Sequence, residues 1–204
     1  MTPLERAALL LGAQPFRCFA KSDAMALPSM IHRVIIDLAD LDRGSYLRLE
    51  ATVARHPSET AERLVLRLLA YALCYEESLV FTKGISAGNE PDLWVKLPDG
   101  RVRQWVEVGL PDPERLRKTS RHAEQVVLVA GGYGLQRWLG QHQPKLASIM
   151  NLTILTLDPA LINRLAASLE RVVEWSVTVT EGVLYLTRGG ETLESPLAIV
   201  QGDR

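Results

Sequence analysis

Residues 90–109, EPDLWVKLPDGRVRQWVEVG, consist of two runs of alternating apolar and polar residues joined by Asp99-Gly100. Asp-Gly is favoured in two-residue type I′ hairpin loops, where both central residues need a positive φ. The stretch therefore predicts an antiparallel hairpin whose register is fixed by this turn. In that register Asp92 lies opposite Glu107, so we expect the two carboxyl groups to be cross-strand neighbours.

Side chains alternate across a strand, so one face of the predicted hairpin is apolar and the other carries the acids. The apolar face, which we expect to meet the core, comprises Leu93, Val95, Leu97, Val102, Val106 and Val108. On the other face Trp94 is expected to oppose Trp105 and to pack with it beneath a helix. Lys96 is expected to lie there opposite Arg103.

Opposed carboxylates with Cβ atoms about 4.5–5.5 Å apart repel each other unless a positive charge lies between them. A hard divalent cation, Mg²⁺ or Mn²⁺, is one candidate, because such ions prefer carboxylate oxygens. Neutralisation by Lys96 and Arg103 on a solvated sheet face is the other. The spacing alone leaves both interpretations open.

The composition is that of an ordinary globular chain. Its 204 residues are 47% apolar and 23% charged, with a net charge of −1, which argues against a disordered tail and against a globally basic nucleic-acid binder. Cys18 and Cys74 are too few for a disulfide framework and favour a reducing, cytoplasmic location. No apolar run approaches the roughly 20 residues of a membrane-spanning helix. We interpret residues 1–30 as an extension, disordered or non-native, and residues 31–204 as a single domain.

The sequence pattern of the remaining chain predicts strands and helices in alternation. A hairpin is expected over residues 30–55, followed by a helix that Ser58 caps, a strand at residues 78–83 and the hairpin quoted above. Next come a helix near residues 110–125, a continuously apolar strand (QVVLVA), a helix at residues 135–147, the strand LTILTLD, another helix and a hairpin turning at Glu181-Gly182. This order predicts an α/β (α+β) fold with a mixed central sheet flanked by helices.

Two further features adjoin the predicted acid pair. Glu62 lies in the first turns of the helix that follows Ser58, at the edge of its apolar stripe, where the helix dipole favours an acid. The helix after Glu107 is rich in basic residues, which predicts a local nucleic-acid-binding surface or a merely solvated face. Its basic side chains are Arg115, Arg117, Lys118 and Arg121.

Two glycine-containing motifs give only weak evidence for a functional site. Gly84-Ile85-Ser86-Ala87-Gly88 matches the G-x-S-x-G nucleophile elbow, but an extended run follows it where an elbow requires a helix, so a loop is expected. The run at residues 131–134, GGYG, gives only G-x-G, and we expect a strand-to-helix turn there.

Several motifs together resemble the YaeQ family of bacterial proteins. They are HPSETAER, FTKG, EPDLW, W-V-E-V-G-x-P-D and R-x-R-K, and the resemblance runs from about residue 31 to residue 199. That family is similar in fold to the PD-(D/E)xK nuclease superfamily, with a core of helix, three antiparallel strands, helix and strand. The resemblance implies a restriction-endonuclease-like core with added N-terminal and C-terminal β-hairpins.

The resemblance also implies a metal site and an activity. Asp92, Glu107 and Glu62 would hold Mg²⁺ or Mn²⁺, and the substrate would be a nucleic-acid phosphodiester. The chain departs from the motif at Gly109, which stands where the superfamily has a lysine. Lys96 is our first candidate to replace that lysine.

Lys118 ranks second among the candidate lysines, and Lys83 is a further one. The loss of the motif lysine leaves an alternative open. In that alternative the same scaffold binds nucleic acid or a protein without cleaving it.

Overall fold

A computed structural model describes residues 29–83 and 90–204. The strands are β1 (Met30–Asp40), β2 (Ser45–Arg55), β3 (Val80–Phe81), β4 (Leu93–Lys96), β5 (Val102–Val108), β6 (Ala123–Ala130), β7 (Leu152–Leu157), β8 (Val172–Thr180), β9 (Val183–Arg188) and β10 (Glu191–Gln201). The helices are α1 (Ala61–Leu73), α2 (Pro113–Thr119), α3 (Leu135–Leu146) and α4 (Pro159–Ala167). None of these helices has the length and apolar character needed to cross a lipid bilayer.

The strands of the described residues form one mixed sheet in the order β2-β1-β8-β9-β10-β7-β6-β5-β4-β3. Parallel pairs join β1 to β8, β5 to β6 and β6 to β7, and the other pairs are antiparallel. The sheet curls until it is nearly closed. Leu49 of β2 and Leu93 of β4 show this, since they lie near the two ends of the sheet and yet belong to one core cluster. The predicted α+β class with a mixed, helix-flanked sheet is therefore confirmed.

Helix α1 lies inside this curl. Its residues from Leu64 to Leu73 are all buried, so the helix is covered on nearly every side rather than along the single stripe predicted. Thr60, not Ser58 as predicted, is its N-cap, because the Thr60 hydroxyl accepts a hydrogen bond from the Arg63 N–H at 3.2 Å. The first turn of α1, which follows this cap, lies at the C-terminal ends of β5 and β6, where a cleft opens.

The second half of the sheet has helices on both faces. Helices α1 and α4 share the inner core cluster, whereas α2 and α3 contribute Leu116 and Trp138 to a separate cluster on the outer face. Strands β6 and β7 lie between these two layers and are buried on both faces. This burial explains their continuous apolar runs and confirms the prediction for QVVLVA.

The hairpin of residues 90–109 forms with the predicted pairing at Trp94 and Trp105, whose ring centroids are 6.3 Å apart. The predicted two-residue type I′ loop is wrong. Pro98, Asp99 and Gly100 form a three-residue loop, in which the Gly100 N–H donates to the Leu97 carbonyl and only Gly100 has a positive φ, +87°. Pro98 favours this loop because its fixed φ suits the first position of a type I turn.

The longer loop shifts the register by one residue beyond Val95. Lys96 therefore pairs with Val102 and not with Arg103 as predicted. Val102 consequently packs against the outer cluster instead of the inner one, and Leu97 is only half-buried. The other four residues of the predicted apolar face, Leu93, Val95, Val106 and Val108, do lie in the inner core.

Three other predictions need correction. Helix α2 ends at Thr119, so Arg121 lies in the turn after it rather than in the helix expected near residues 110–125. Strand β3 has only two residues where six were expected. The hairpin at Glu181-Gly182 is confirmed, but the long strand β10 that follows it was not predicted. The proposed extension, apart from residues 29 and 30, and the loop expected at residues 84–88 lie outside the described residues.

Gly131, after β6, lies close to side chains of both α1 and α4. A methyl group on its Cα would lie 2.5 Å from Cδ1 of Ile162 and 2.9 Å from Cδ2 of Leu66. We predict that Gly131→Ala lowers the free energy of unfolding by about 1–3 kcal/mol, because the buried Ile162 and Leu66 side chains must move to make room. Urea unfolding followed by circular dichroism measures this loss.

Gly140→Ala provides the matched control. Gly140 lies in α3 with no atom within 4 Å of an added methyl group. Its replacement should stabilise the protein by about 0.5–1 kcal/mol through helix propensity. Equal effects of the two substitutions would contradict the close packing at Gly131.

Candidate functional site

A cleft of about 500 Å³ opens at the C-terminal ends of β5 and β6. The first turn of α1, the segment before β4, the loop leading to α2 and the glycine turn after β6 surround it. The charged residues that line it are Glu62, Arg63, Glu90, Asp92, Glu107 and Arg115. Four acidic residues and two arginines therefore line the cleft, so the lining residues carry an excess of negative charge.

Asp92 is buried at the inner wall of the cleft. Its Oδ2 accepts hydrogen bonds from the Val108 N–H and from Arg63 Nη2, both at 3.0 Å. Its Oδ1 lies 2.7 Å from Arg63 Nη1 and 3.7 Å from Arg67 Nε, but neither N–H points at it. The carboxylate is therefore held by α1 and by the β5 backbone, with one oxygen left without a hydrogen-bond donor.

A buried ion pair behind Asp92 anchors this arrangement. Arg67 Nη1 donates to both carboxylate oxygens of Glu59, at 3.2 and 3.1 Å, and the side chains of the two residues are 2% and 1% exposed. Arg63 Nη1 also lies 3.4 Å from Glu59. Two carboxylates and two guanidinium groups, those of Glu59, Asp92, Arg63 and Arg67, therefore form a neutral network inside the curled sheet.

Glu107 lies at the opposite wall. Its Oε1 accepts hydrogen bonds from Trp105 Nε1 and from Arg115 Nε, both at 2.7 Å. Burial raises the pKa of the Glu107 carboxyl above its ordinary value, although the Trp105 and Arg115 contacts act in the other direction. Arg115 also donates to the Glu90 carbonyl at 2.6 Å, so it joins α2 to the segment before β4.

The three predicted metal ligands all line this cleft, but each is engaged differently. Asp92 contacts α1 inside the curl, whereas Glu107 contacts α2, which packs on the other face of the sheet, so the prediction that the two acids share one face of the hairpin is wrong. Glu62 is exposed at the rim. Among the described residues, no three histidine, cysteine, aspartate or glutamate side chains come close enough to hold a metal ion. A metal site would need these side chains to rearrange.

The candidate lysines lie elsewhere. The Lys96 Nζ is 3.5 Å from the centroid of the Trp94 ring, a cation–π contact on the exposed face of the hairpin. Lys118 is exposed on α2, and Lys83 lines a neighbouring cavity beside Phe81. No lysine of residues 29–83 and 90–204 lines the cleft.

Gly109 explains why the cleft has no lysine at the motif position. Its φ is +89°, a conformation that side chains rarely adopt, and its N–H donates to the Val129 carbonyl at 3.0 Å. A lysine at this position would be strained even though the space around it is open.

The predicted basic surface is only partly present. Arg115 turns inward to Glu107, whereas Arg117 contacts the Lys145 carbonyl and lies 3.5 Å from Glu114. Lys118 and Arg121 are exposed. The four basic residues therefore do not form one continuous phosphate-facing row.

Sequence reasoning missed Glu59, Arg63 and Arg67. The available signal was Arg67 itself, which stands within LVLRLLAYAL, a run that is apolar almost all round the helix. Such a helix is buried, and a charge inside it needs a partner. The partner, Glu59, lies before the N-cap in HPSETAER.

The buried network predicts a large asymmetry between two arginines. Arg67→Met should lower the free energy of unfolding by about 3–5 kcal/mol, because Glu59 loses its main partner in a buried site. The same change at Arg48, whose ion pair with Asp37 is more than half exposed, should cost no more than about 1 kcal/mol. Chemical denaturation measures both.

A double variant tests the origin of that loss. Glu59→Gln combined with Arg67→Met removes both charges and should recover part of the stability lost in Arg67→Met alone. If the double variant is no more stable than Arg67→Met alone, uncompensated charge is not the cause of the loss.

The raised pKa of Glu107 predicts a dependence on pH. Because the folded-state pKa exceeds the ordinary value of 4.5, the ionised carboxyl is penalised in the folded protein. Glu107→Gln should gain stability relative to the natural chain as the pH rises from 4.5 toward the folded-state pKa, and the gain should then level off. Urea unfolding across a pH series measures it.

Glu114→Gln is the control for this series, since the Glu114 side chain is 78% exposed. Its stability difference from the natural chain should not change with pH over the same window. A Glu107→Gln difference that falls with rising pH would show that Arg115 outweighs burial.

Known proteins resemble this chain over most of its length. A sequence model of the family described as YaeQ protein matches residues 25–197. Uncharacterized protein YaeQ of Salmonella typhi is 38% identical over 178 residues, which are 87% of this chain and 98% of the relative. The protein of the same name in Escherichia coli (strain K12) is 36% identical over the same shares.

Two crystal structures extend the likeness to the fold. YaeQ protein from Pseudomonas syringae has a TM-score of 0.82 at 40% identity, covering 87% of this chain and 99% of that one. YaeQ protein from Xanthomonas axonopodis pv. citri also has a TM-score of 0.82, at 30% identity, with shares of 86% and 99%. With the family match spanning most of the described residues, the chain belongs to the YaeQ family.

Proposed function

We propose that this chain binds a nucleic-acid phosphodiester in the cleft and cleaves it with the help of Mg²⁺ or Mn²⁺. The observation that carries the proposal is the excess of acidic residues in the lining, four against two arginines. A divalent cation offsets that excess and, once bound, makes the cleft attractive to phosphate. A cytoplasmic location, where nucleic acid and reduced cysteines are found, belongs to the same proposal.

The donor chemistry supports such an ion. Asp92, Glu107 and Glu62 offer hard carboxylate oxygens, and Asp92 Oδ1 lacks a hydrogen-bond donor. Arg63 is the arginine that can withdraw from Asp92, because its side chain is 27% exposed whereas that of Arg67 is only 2% exposed. Cation binding in this proposal therefore displaces Arg63 and leaves the Glu59–Arg67 pair in place.

The order of elements supports the same activity. Helix α1, the antiparallel strands β3, β4 and β5, helix α2 and the parallel strand β6 follow one another as in the nuclease core expected from the sequence. A bound ion supplies Lewis acidity toward the phosphodiester. Neither Lys96 nor Lys118 lines the cleft, so the proposal assigns the positive charge that faces the phosphate to Arg63 and Arg115.

A second candidate function is binding without cleavage, of nucleic acid or of a protein. The observation that favours it is Gly109, which follows β5 in the place of the motif lysine and has a positive φ that would strain a lysine. In that case the Arg63–Asp92 and Arg115–Glu107 pairs stay intact when a ligand binds, and the cleft binds the ligand without cleaving it. Metal binding and cleavage separate the two candidates.

Calorimetric titration with Mn²⁺ tests the metal site. The natural chain should bind the ion, and Asp92→Asn should weaken binding by at least about 10-fold because a ligand charge is lost. Glu114→Gln, an exposed acid on α2 outside the cleft, should leave the affinity unchanged. Absence of binding at millimolar Mn²⁺ would exclude the metal-dependent activity.

Cleavage assays then distinguish an enzyme from a binder. Single-stranded, duplex and structured nucleic acids are incubated with Mn²⁺ and with either the natural chain or Glu107→Gln. The proposal expects cleavage by the natural chain only. Equal cleavage by both would identify a contaminating nuclease, whereas binding without cleavage would establish the second candidate.

A further inference from the structure

Tyr133, in the turn between β6 and α3, is the most exposed aromatic side chain of the described residues. It is 85% exposed. Among the described residues, no aromatic ring and no cationic group stacks on it. Its ring is therefore open to a ligand, and the function proposed above gives it no role.

The ring is nevertheless held in place at both ends. The Tyr133 hydroxyl accepts a hydrogen bond from Asn163 Nδ2 of α4 at 3.0 Å. Two residues before Tyr133, the Cα of Gly131 is closely enclosed by the side chains of Ile162 and Leu66, which fixes the start of the turn. A side chain that is already restrained loses less conformational freedom when a ligand packs against it, so this ring is suited to binding.

The turn that carries Tyr133 borders the cleft. Gly131 and Gly132 line the cleft directly. After Tyr133, a methyl group on Gly134 would lie 3.9 Å from Cδ1 of Leu110, another lining residue. Tyr133 thus lies between two residues that adjoin the cleft, and its hydrogen bond to α4 places its ring at the rim on the side of that helix.

The lining of the cleft offers no group on which a nucleobase can stack. None of the described residues that line it has an aromatic side chain. The charged lining residues suit a phosphodiester and its metal ion, but they do not provide a flat apolar surface. Stacking on a base must therefore come from the rim, where Tyr133 provides such a surface and where Arg137, exposed in the first turn of α3, adds positive charge.

We propose that Tyr133 stacks on an unpaired base of the nucleic acid whose phosphodiester occupies the cleft, so that the chain selects single strands over duplexes. This inference rests on the function proposed above and specifies its substrate class. Proteins stack aromatic side chains on bases that are unpaired and turned out of the helix, whereas bases within a duplex are covered by their neighbours. Because every base has a π-face, such stacking selects single strands without selecting a sequence.

Fluorescence anisotropy with labelled phosphorothioate oligonucleotides, which resist cleavage, tests the proposal in the presence of Mn²⁺. The natural chain should bind a single strand at least about 10-fold more tightly than a duplex of the same sequence. Tyr133→Ala should weaken single-strand binding by about 10-fold or more and leave duplex binding unchanged, because only the stacked base is lost. Tyr133→Phe keeps the ring and should retain most of the affinity.

Abasic oligonucleotides identify the stacked base. Removal of one base at a time should weaken binding to the natural chain most at one position, and the same removal should have no further effect on Tyr133→Ala. Tyr46→Ala is the matched control and should change neither affinity. Tyr46 is also exposed, but it follows Arg43, which bonds to the Leu73 carbonyl at the end of α1 opposite to the cleft.

The failure of this inference differs from the failure of the proposed function. A natural chain that binds no oligonucleotide overturns the proposed function and the stacking role with it. Single-strand binding that is unchanged in Tyr133→Ala, equal affinity for single strand and duplex, or a loss at an abasic position that persists in Tyr133→Ala overturns only the stacking role of Tyr133.

Discussion

The neutral network of Glu59, Arg63, Arg67 and Asp92 is the interaction on which the cleft depends. Arg67 belongs to a helix that is buried on nearly every side, and its guanidinium can enter the core only where carboxylates receive it. Glu59 comes from the segment before α1 and Asp92 from the segment before β4. Their meeting sets the depth and rotation of α1 within the sheet, and this in turn determines which side chains of its first turn reach the cleft.

The same network constrains what the cleft can bind. Asp92 is held from three sides, by two α1 arginines and by the Val108 N–H, whereas Glu107 is held by Arg115 from the opposite layer. A ligand that competes for either carboxylate must replace interactions that now compensate a buried charge. Arg63 and Arg115 are the more accessible of these arginines. The choice of ligand therefore depends on how readily Arg63 leaves Asp92 and Arg115 leaves Glu107.

Local signals in the sequence predicted the hairpins, the helix at α1 and the buried strands β6 and β7, because each depends on residues near one another in the chain. The turn at Pro98 was misjudged because Asp99-Gly100 suits two loop types, and the preceding proline decides between them. Strand β10 was missed because Pro196 interrupts its pattern, yet it pairs with both β9 and β7. The closure of the sheet depends on contacts between distant segments, which no local pattern encodes.

Within the site, the sequence placed Glu62, Asp92 and Glu107 around one cleft, but it could not give the direction of each side chain. The inward turn of Arg115 follows from the rotation of α2, a helix of seven residues whose orientation is set by Leu116 in the outer cluster. The basic residues of the predicted helix are therefore divided between the contact of Arg115 with Glu107 and the solvent-exposed Lys118 and Arg121. Glu59 was not predicted as a site residue because it lies before α1, outside the helical pattern that contains its partner Arg67.

The parallel pairing of β1 with β8 joins segments that are far apart in the chain; His32, for example, bonds to the Glu170 carbonyl 138 residues away. During synthesis on the ribosome, most of the chain must therefore be made before the β1 strand of the first hairpin can form its hydrogen bonds with β8. Topologies with such distant contacts fold slowly, and unpaired strand edges are prone to aggregate during that interval. The order of synthesis thus leaves the β1 edge that faces β8 unpaired in the nascent chain until residues 172–180 have been made.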